Sequence, residues 1–115
     1  MIPVRFSLEA AGQLRARRIW WRENRDKAPD LFERELAEAI GRLGRSAGTL
    51  PIFVRRAGHV VRRYLMPKTR CHLYLEVTDA PAEVVVLAAG GSQRKRPKTL
   101  PMSPRPNIAS EVATA

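Results

Sequence analysis

Cysteine is almost missing from this 115-residue chain, with Cys71 the only one. No disulfide can close within the chain, and a metal site built on cysteines is excluded. Histidine is nearly as scarce: His59 and His72 are too few to hold zinc without cysteine ligands. Neither a metal nor a cofactor is therefore expected. Long apolar runs are missing too, since the longest, Val84 to Ala89, falls far short of the ~20 residues that cross a bilayer. The N-terminal stretch MIPVRFSLEAAGQLR has no secretory apolar core. A reducing, cytoplasmic setting is the expectation. Acidic residues are in deficit, 11 Asp and Glu against 21 Lys and Arg, for a net charge of +10. Between Arg55 and Arg70 six basic residues occur with no acidic one. Such a local field favours polyanions or an acidic protein partner.

The length suits one domain with one core. Ile2, Val4 and Phe6 alternate with Pro3, Arg5 and Ser7, which predicts a half-buried strand. Ser7 is a natural N-cap for a helix from Leu8 to about Arg25, with Ala10, Leu14 and Trp21 on its apolar stripe and Arg17 and Arg18 interrupting it. A second helix is predicted from Pro29 to Arg45, its start charged or capped by Asp26 or Asp30 and its end set by Gly44 and Gly48. Phe32, Leu36, Ala39, Ile40 and Leu43 recur at helical spacing, and Glu33, Glu35 and Glu38 fall on the side assigned to water. The two helices form a hairpin whose apolar face needs a sheet to cover it. Phe32, Leu36, Ile40 and Leu43 are expected to be buried against Val84, Val86 or their neighbours Val85 and Leu87.

Strands follow. Ile52 to Arg55 is a weak one, an edge or a loop; Val60 to Met66 is stronger, and Pro67-Lys68-Thr69 reverses the chain into Arg70 to Val77. After a turn at Asp79 to Ala82 comes Val84 to Ala89, the most apolar and therefore central strand. Short turns make these neighbours antiparallel. From Lys98 the chain is rich in proline and poor in apolar residues, so a folded unit over 1–97 and a disordered tail over 98–115 are expected. The fold class is α+β, in the order β-α-α-β-β-β.

Period-two alternation puts His72, Tyr74 and Glu76 on one sheet face, shared with either Arg62 or Arg63 and with Arg94 from the last strand's end. A histidine with two arginines can bind phosphate, and in an RNase the histidine would move protons while the arginines stabilise the phosphorane. The plainer reading is a structural or partner-binding histidine on a basic sheet. Other templates fail: no Ser-His-Asp set stands out, and Gly90-Gly91-Ser92 lacks the spacing and helix of a phosphate loop. The spacing of a helix-turn-helix is not convincing either, because the acidic outer face of the second helix would be repelled by DNA.

The order strand, helical hairpin and basic antiparallel meander resembles the RelE/ParE toxin superfamily of bacterial type II toxin–antitoxin systems, over roughly Val4 to Leu100. The most specific pieces are VRRYLMPKTRCHLYLEV and VVVLAAGGSQRKRPKTL. Cys71 stands where the family commonly has an aromatic, and Gly90 or Gly91 where many members have a bulky aromatic or His. RelE-like members are mRNA endonucleases acting on the ribosome, and Arg63, His72 and Arg94 sit at positions similar to three of their basic sites. No Tyr or His follows Tyr74, however, where those enzymes place a Tyr in a C-terminal helix. ParE-like members lack that set and poison DNA gyrase, and this branch is the preferred expectation, with a role such as plasmid stabilisation. An mRNA endonuclease and a non-toxic nucleic-acid-binding module are the alternatives. The resemblance implies a cognate antitoxin lying across the basic sheet and hairpin, with Arg62, Arg63, Arg70, Tyr74, Arg94, Trp20 and Trp21 as candidate contacts.

Overall fold

A computed structural model describes residues 1–25, 27–91 and the strand at 108–112. Strand β1 (Val4–Ser7) runs straight into helix α1 (Leu8–Asn24). Ser7 serves both: its Oγ accepts from the Ala10 N–H at 3.0 Å, capping the helix, and donates to the Leu87 carbonyl at 2.9 Å, tying the junction to the sheet. Ala10, Leu14 and Trp21 are the buried residues of α1, as the stripe predicts.

Helix α2 (Leu31–Ser46) departs from expectation at both ends. Pro29 and Asp30 form a turn before it, and Asp30 pairs with Arg34 at 3.5 Å without capping the helix through its side chain; Asp26 lies outside the described residues. Gly44 does not end the helix but lies buried inside it. The Ile2 N–H donates to the Gly44 carbonyl at 3.0 Å, and a Cβ on Gly44 would lie 3.1 Å from the Ile2 carbonyl oxygen, so glycine here serves close approach of the N-terminal segment. Facing the core are Phe32, Glu35, Ala39 and Leu43, while Leu36 and Ile40 are only partly buried. The stripe is thus rotated by part of a turn from the one expected, and Glu35, assigned to water from its charge, is 4% exposed.

A short 3₁₀ turn at Ala47–Thr49 leads to the strands β2 (Ile52–Arg56), β3 (His59–Met66), β4 (Cys71–Asp79) and β5 (Ala82–Gly91). Ile52–Arg56 is a true edge strand, joined to β3 by Ala57 and Gly58 with φ of 51° and 80°, a two-residue loop whose positive φ at both positions matches the twist of a hairpin. The sheet order is β2-β3-β4-β5-β1-β6, with β6 spanning Ile108–Val112. The meander is antiparallel, whereas β1 lies parallel to β5 in the register Val4↔Val84 and Phe6↔Val86. Within the segment expected to lack structure, Ile108–Val112 pairs antiparallel with β1.

Two apolar clusters flank the sheet. On the helix side Phe32 and Leu43 share a core with Val84 and Val86. Val85 and Leu87 belong to the second cluster, with Val61, Tyr74 and Ala88 on the other face, against which Phe53 and Val54 pack. No helix among the described residues is long and apolar enough to cross a membrane.

Candidate functional site

Strand pairing decides which arginine joins His72. Arg63 lies opposite Tyr74 and Leu65 opposite His72, so Arg63, Tyr74 and His72 share the face turned away from the helices. Arg62 lies opposite Leu75 on the helix side, where its Nη1 donates to the Leu50 carbonyl at 2.6 Å. Its guanidinium anchors the chain ahead of β2, so of the two arginines left open it is Arg63 that shares the face of His72, and Arg62 is turned to the helix side instead of joining it as a candidate contact.

Tyr74 is corrected as well. It is 1% exposed, covered by Phe53 in an edge-on contact with ring centroids 5.0 Å apart, and so is not presented to a partner. The Arg63 guanidinium lies over the other aromatic of this stack, 4.9 Å from the Phe53 centroid, an arrangement that fixes a cation at the surface without an acidic partner. His72 is half-buried, with its ring 6.0 Å from that of Tyr74. Burial first, and then the positive charges of Arg63 and Arg70, lower its pKa from 6.5, so the imidazole is neutral at physiological pH. Glu76 is engaged by His59, whose Nδ1 lies 2.6 Å from its Oε2. Arg94 lies outside the described residues.

Arg63 and His72 thus share this face, near enough for the arginine's charge to act on the imidazole, while Glu76 is engaged by His59. Among the described residues no group of three or more His, Cys, Asp or Glu is placed to hold a metal ion.

The remaining expected contacts lie elsewhere. Trp20 is 47% exposed and Trp21 buried, with ring centroids 5.7 Å apart, and Arg25 lies over both rings on the helix side of the molecule. Arg70 is exposed at the end of the β3–β4 turn with a left-handed φ of 61°. Sequence reasoning missed Glu35, whose carboxylate accepts from the amides of Lys68 at 2.6 Å and Thr69 at 2.8 Å and from the Thr69 hydroxyl at 2.7 Å. The signal was present, since position 35 lies three residues after Phe32 and four before Ala39, on the buried line of α2.

No protein-family model and no curated protein sequence matches the chain. Among solved structures it is similar to a chain of the toxin–antitoxin complex RelBE2 from Mycobacterium tuberculosis, with 22% identity, a TM-score of 0.52, and coverage of 79% of this chain and 93% of that one. The N-terminal strand, helical hairpin and mainly antiparallel sheet, set beside that likeness, give this chain a RelE-like fold.

Proposed function

We infer that the chain is the toxin of a toxin–antitoxin pair, inhibiting growth by binding a cellular target and neutralised by a cognate antitoxin. The likeness in fold to a chain of a toxin–antitoxin complex carries this reading. The net charge of +10 supports an acidic or amphipathic antitoxin segment, with charge steering the encounter and apolar side chains holding it. An apolar groove for such side chains runs beside α2, lined by Met1, Ile2, Val4 and Ile40.

The preferred target is DNA gyrase, reached through protein contacts without bond breaking by this chain. Two features support it: Arg63 is stacked on Phe53, and Tyr74 is buried, which leaves His72 without a second proton-transfer group on its face. A second reading, an mRNA endonuclease, is favoured by one observation, the neutral His72 flanked by positive charge, which is the form a general base needs. Controlled expression, followed by assays for gyrase-dependent DNA breaks and for mRNA cleavage, separates the two. The expected result is growth arrest with DNA breaks, retained by a folded His72→Ala variant. Loss of toxicity in that folded variant, with mRNA cleavage by the parent, overturns the gyrase reading.

A further inference from the structure

A second concave region lies apart from the Arg63–His72 face. It is a cleft of about 590 Å³ between the C-terminal half of α1 and the turn joining β3 to β4. Arg17, Trp20, Trp21 and Arg25 line it from the helix, and Lys68 and Arg70 from the turn. Its size falls within the range of about 300–1,000 Å³ typical of small-ligand sites.

Among the described residues the cations of this cleft have no carboxylate within ion-pair distance, unlike two arginines beside it on α1. Next to it on α1, Arg18 and Arg22 pair with Glu33 at 3.6 and 3.0 Å; elsewhere Arg5 pairs with Glu83 and Arg34 with Asp30. Among the described residues none of Arg17, Arg25, Lys68 or Arg70 has a carboxylate within ion-pair distance. Glu35, behind the turn, has both oxygens occupied by the amides and hydroxyl of Lys68 and Thr69. Hydrogen bonding leaves the Glu35 charge in place, so among the described residues one buried carboxylate stands against four cations here, and an anion in the cleft relieves the repulsion that remains.

Two further observations point into the same cleft. Trp21 is 9% exposed, and its indole N–H is the one buried side-chain polar atom among the described residues with no hydrogen-bond partner. Such a donor is costly to leave unpaired. Arg70 holds its left-handed φ of 61° at the rim, a conformation that non-glycine residues adopt at some cost and that clusters at ligand clamps. The floor is shaped to admit a cation: the Arg17 guanidinium fills the space where a Cβ on Gly91 would sit.

An anion alone would account for the arginines but not for the indoles. Trp20, 47% exposed and with the Arg25 guanidinium 6.0 Å from its centroid, offers an aromatic ring among cations, the combination on which nucleobases stack while their phosphates meet Arg and Lys. A purely acidic run such as poly-glutamate would supply carboxylates but no flat ring for that face. We propose that this cleft binds a nucleoside 5′-phosphate, its phosphate held by Arg17, Lys68 and Arg70 and its base stacked on Trp20, either as a free nucleotide or as the 5′ end of a single-stranded RNA. The proposal uses neither Arg63 nor His72 and stands independently of the toxin reading.

The chain contains two tryptophans and both line the cleft, so intrinsic fluorescence reports on this site alone. The full chain is titrated at fixed ionic strength with AMP, adenosine, a 5′-phosphorylated single-stranded RNA hexamer and a poly-glutamate peptide. Saturable quenching by AMP is expected, with adenosine at least about tenfold weaker, which is about 1.4 kcal/mol. Arg70→Gly deletes a cation while glycine keeps the left-handed backbone, and it should weaken AMP binding at least about fivefold with the circular dichroism unchanged. Arg45→Ala, an exposed charge elsewhere, should leave binding as it was. Quenching by the RNA and not by AMP, still weakened by Arg70→Gly, supports the same site and identifies the strand end as its source. The proposal is overturned if neither AMP nor RNA quenches saturably, if folded Arg70→Gly binds as the parent does, or if poly-glutamate binds as tightly as the nucleotide ligands.

Discussion

Glu35 holds Thr69 twice, its Oε1 accepting from the Thr69 amide at 2.8 Å and from the Thr69 hydroxyl at 2.7 Å. The contact fastens the β3–β4 turn, and with it Lys68 and Arg70, to the helical layer. Both residues are buried, at 4% and 5% exposure, so water cannot easily replace either partner. Glu35→Ala should lower stability by about 3 kcal/mol and Thr69→Val by about 1 kcal/mol, read from urea denaturation. Made on top of Glu35→Ala, Thr69→Val should cost much less than it does alone. Strictly additive costs would mean that the two side chains do not interact in solution.

Ala57 holds a φ of 51° in the two-residue loop between β2 and β3, a place where glycine, asparagine and aspartate are at ease and alanine is not. Ala57→Asn should stabilise the protein by about 1 kcal/mol, raising the melting temperature by about 4 °C. A fall in melting temperature would show that the loop adopts another geometry in solution.

His72 titrates below 6.5 in the folded chain because it is partly buried and faces the charges of Arg63 and Arg70. As pH falls through 6.5 the unfolded chain takes up its proton first. Stability associated with the neutral imidazole is therefore complete above 6.5, declines as pH drops towards the folded-state pKa, and is lost below it. Proton NMR of the imidazole should give a value under 6.5 that rises in both Arg63→Ala and Arg70→Gly. A parent value at or above 6.5 would contradict the placement of these charges.

Cys71 is buried, and burial pushes its thiol pKa from 9.0 to about 11 against the opposing pull of Arg17. At pH 8 its thiolate fraction should be about 100-fold below that of an ordinary cysteine. Iodoacetamide should accordingly label the folded protein at least about 100-fold more slowly than the protein in denaturant. Because the folded-state pKa is raised, this group weakens stability as pH climbs from 9.0 through 11. Labelling at the same rate in both states would place Cys71 at the surface.

Local chemistry made much of this architecture legible. Ser7 was readable as a cap, Ala10, Leu14 and Trp21 as one buried stripe, and the run from Val84 to Ala89 as an interior strand, which lies between β4 and β1. What escaped was decided by tertiary partners. Alternation along β3 separates Arg62 from Arg63 but cannot say which one faces the helices; register with β4 does. Alternation puts Tyr74 on the face of His72 and Glu76 but cannot show that this face has its own apolar cluster with Val61 and Leu87, which buries the ring. Glu35 was misassigned because its charge suggested water, whereas unpaired amides in a neighbouring turn gave a buried carboxylate its partners. The cleft gathers Arg17 and Arg70 from distant parts of the chain, so no sequence window contains it.

The parallel pairing of Val4 with Val84 also bears on how the protein comes into being on the ribosome. Strand β1, which precedes the helices in the chain, has as its neighbour the last strand of the meander. Until that strand has been translated, Val4 and Phe6 have no β5 to lie against, and the helical hairpin lacks the Val84 and Val86 side of its core. The segment from β1 to β4 therefore remains an incomplete layer until β5 follows, and the layer closes through a contact of high sequence separation. A fragment that stops short of β5 should leave Val4 and Phe6 without that strand and the helical hairpin without Val84 and Val86, so its core should stay open.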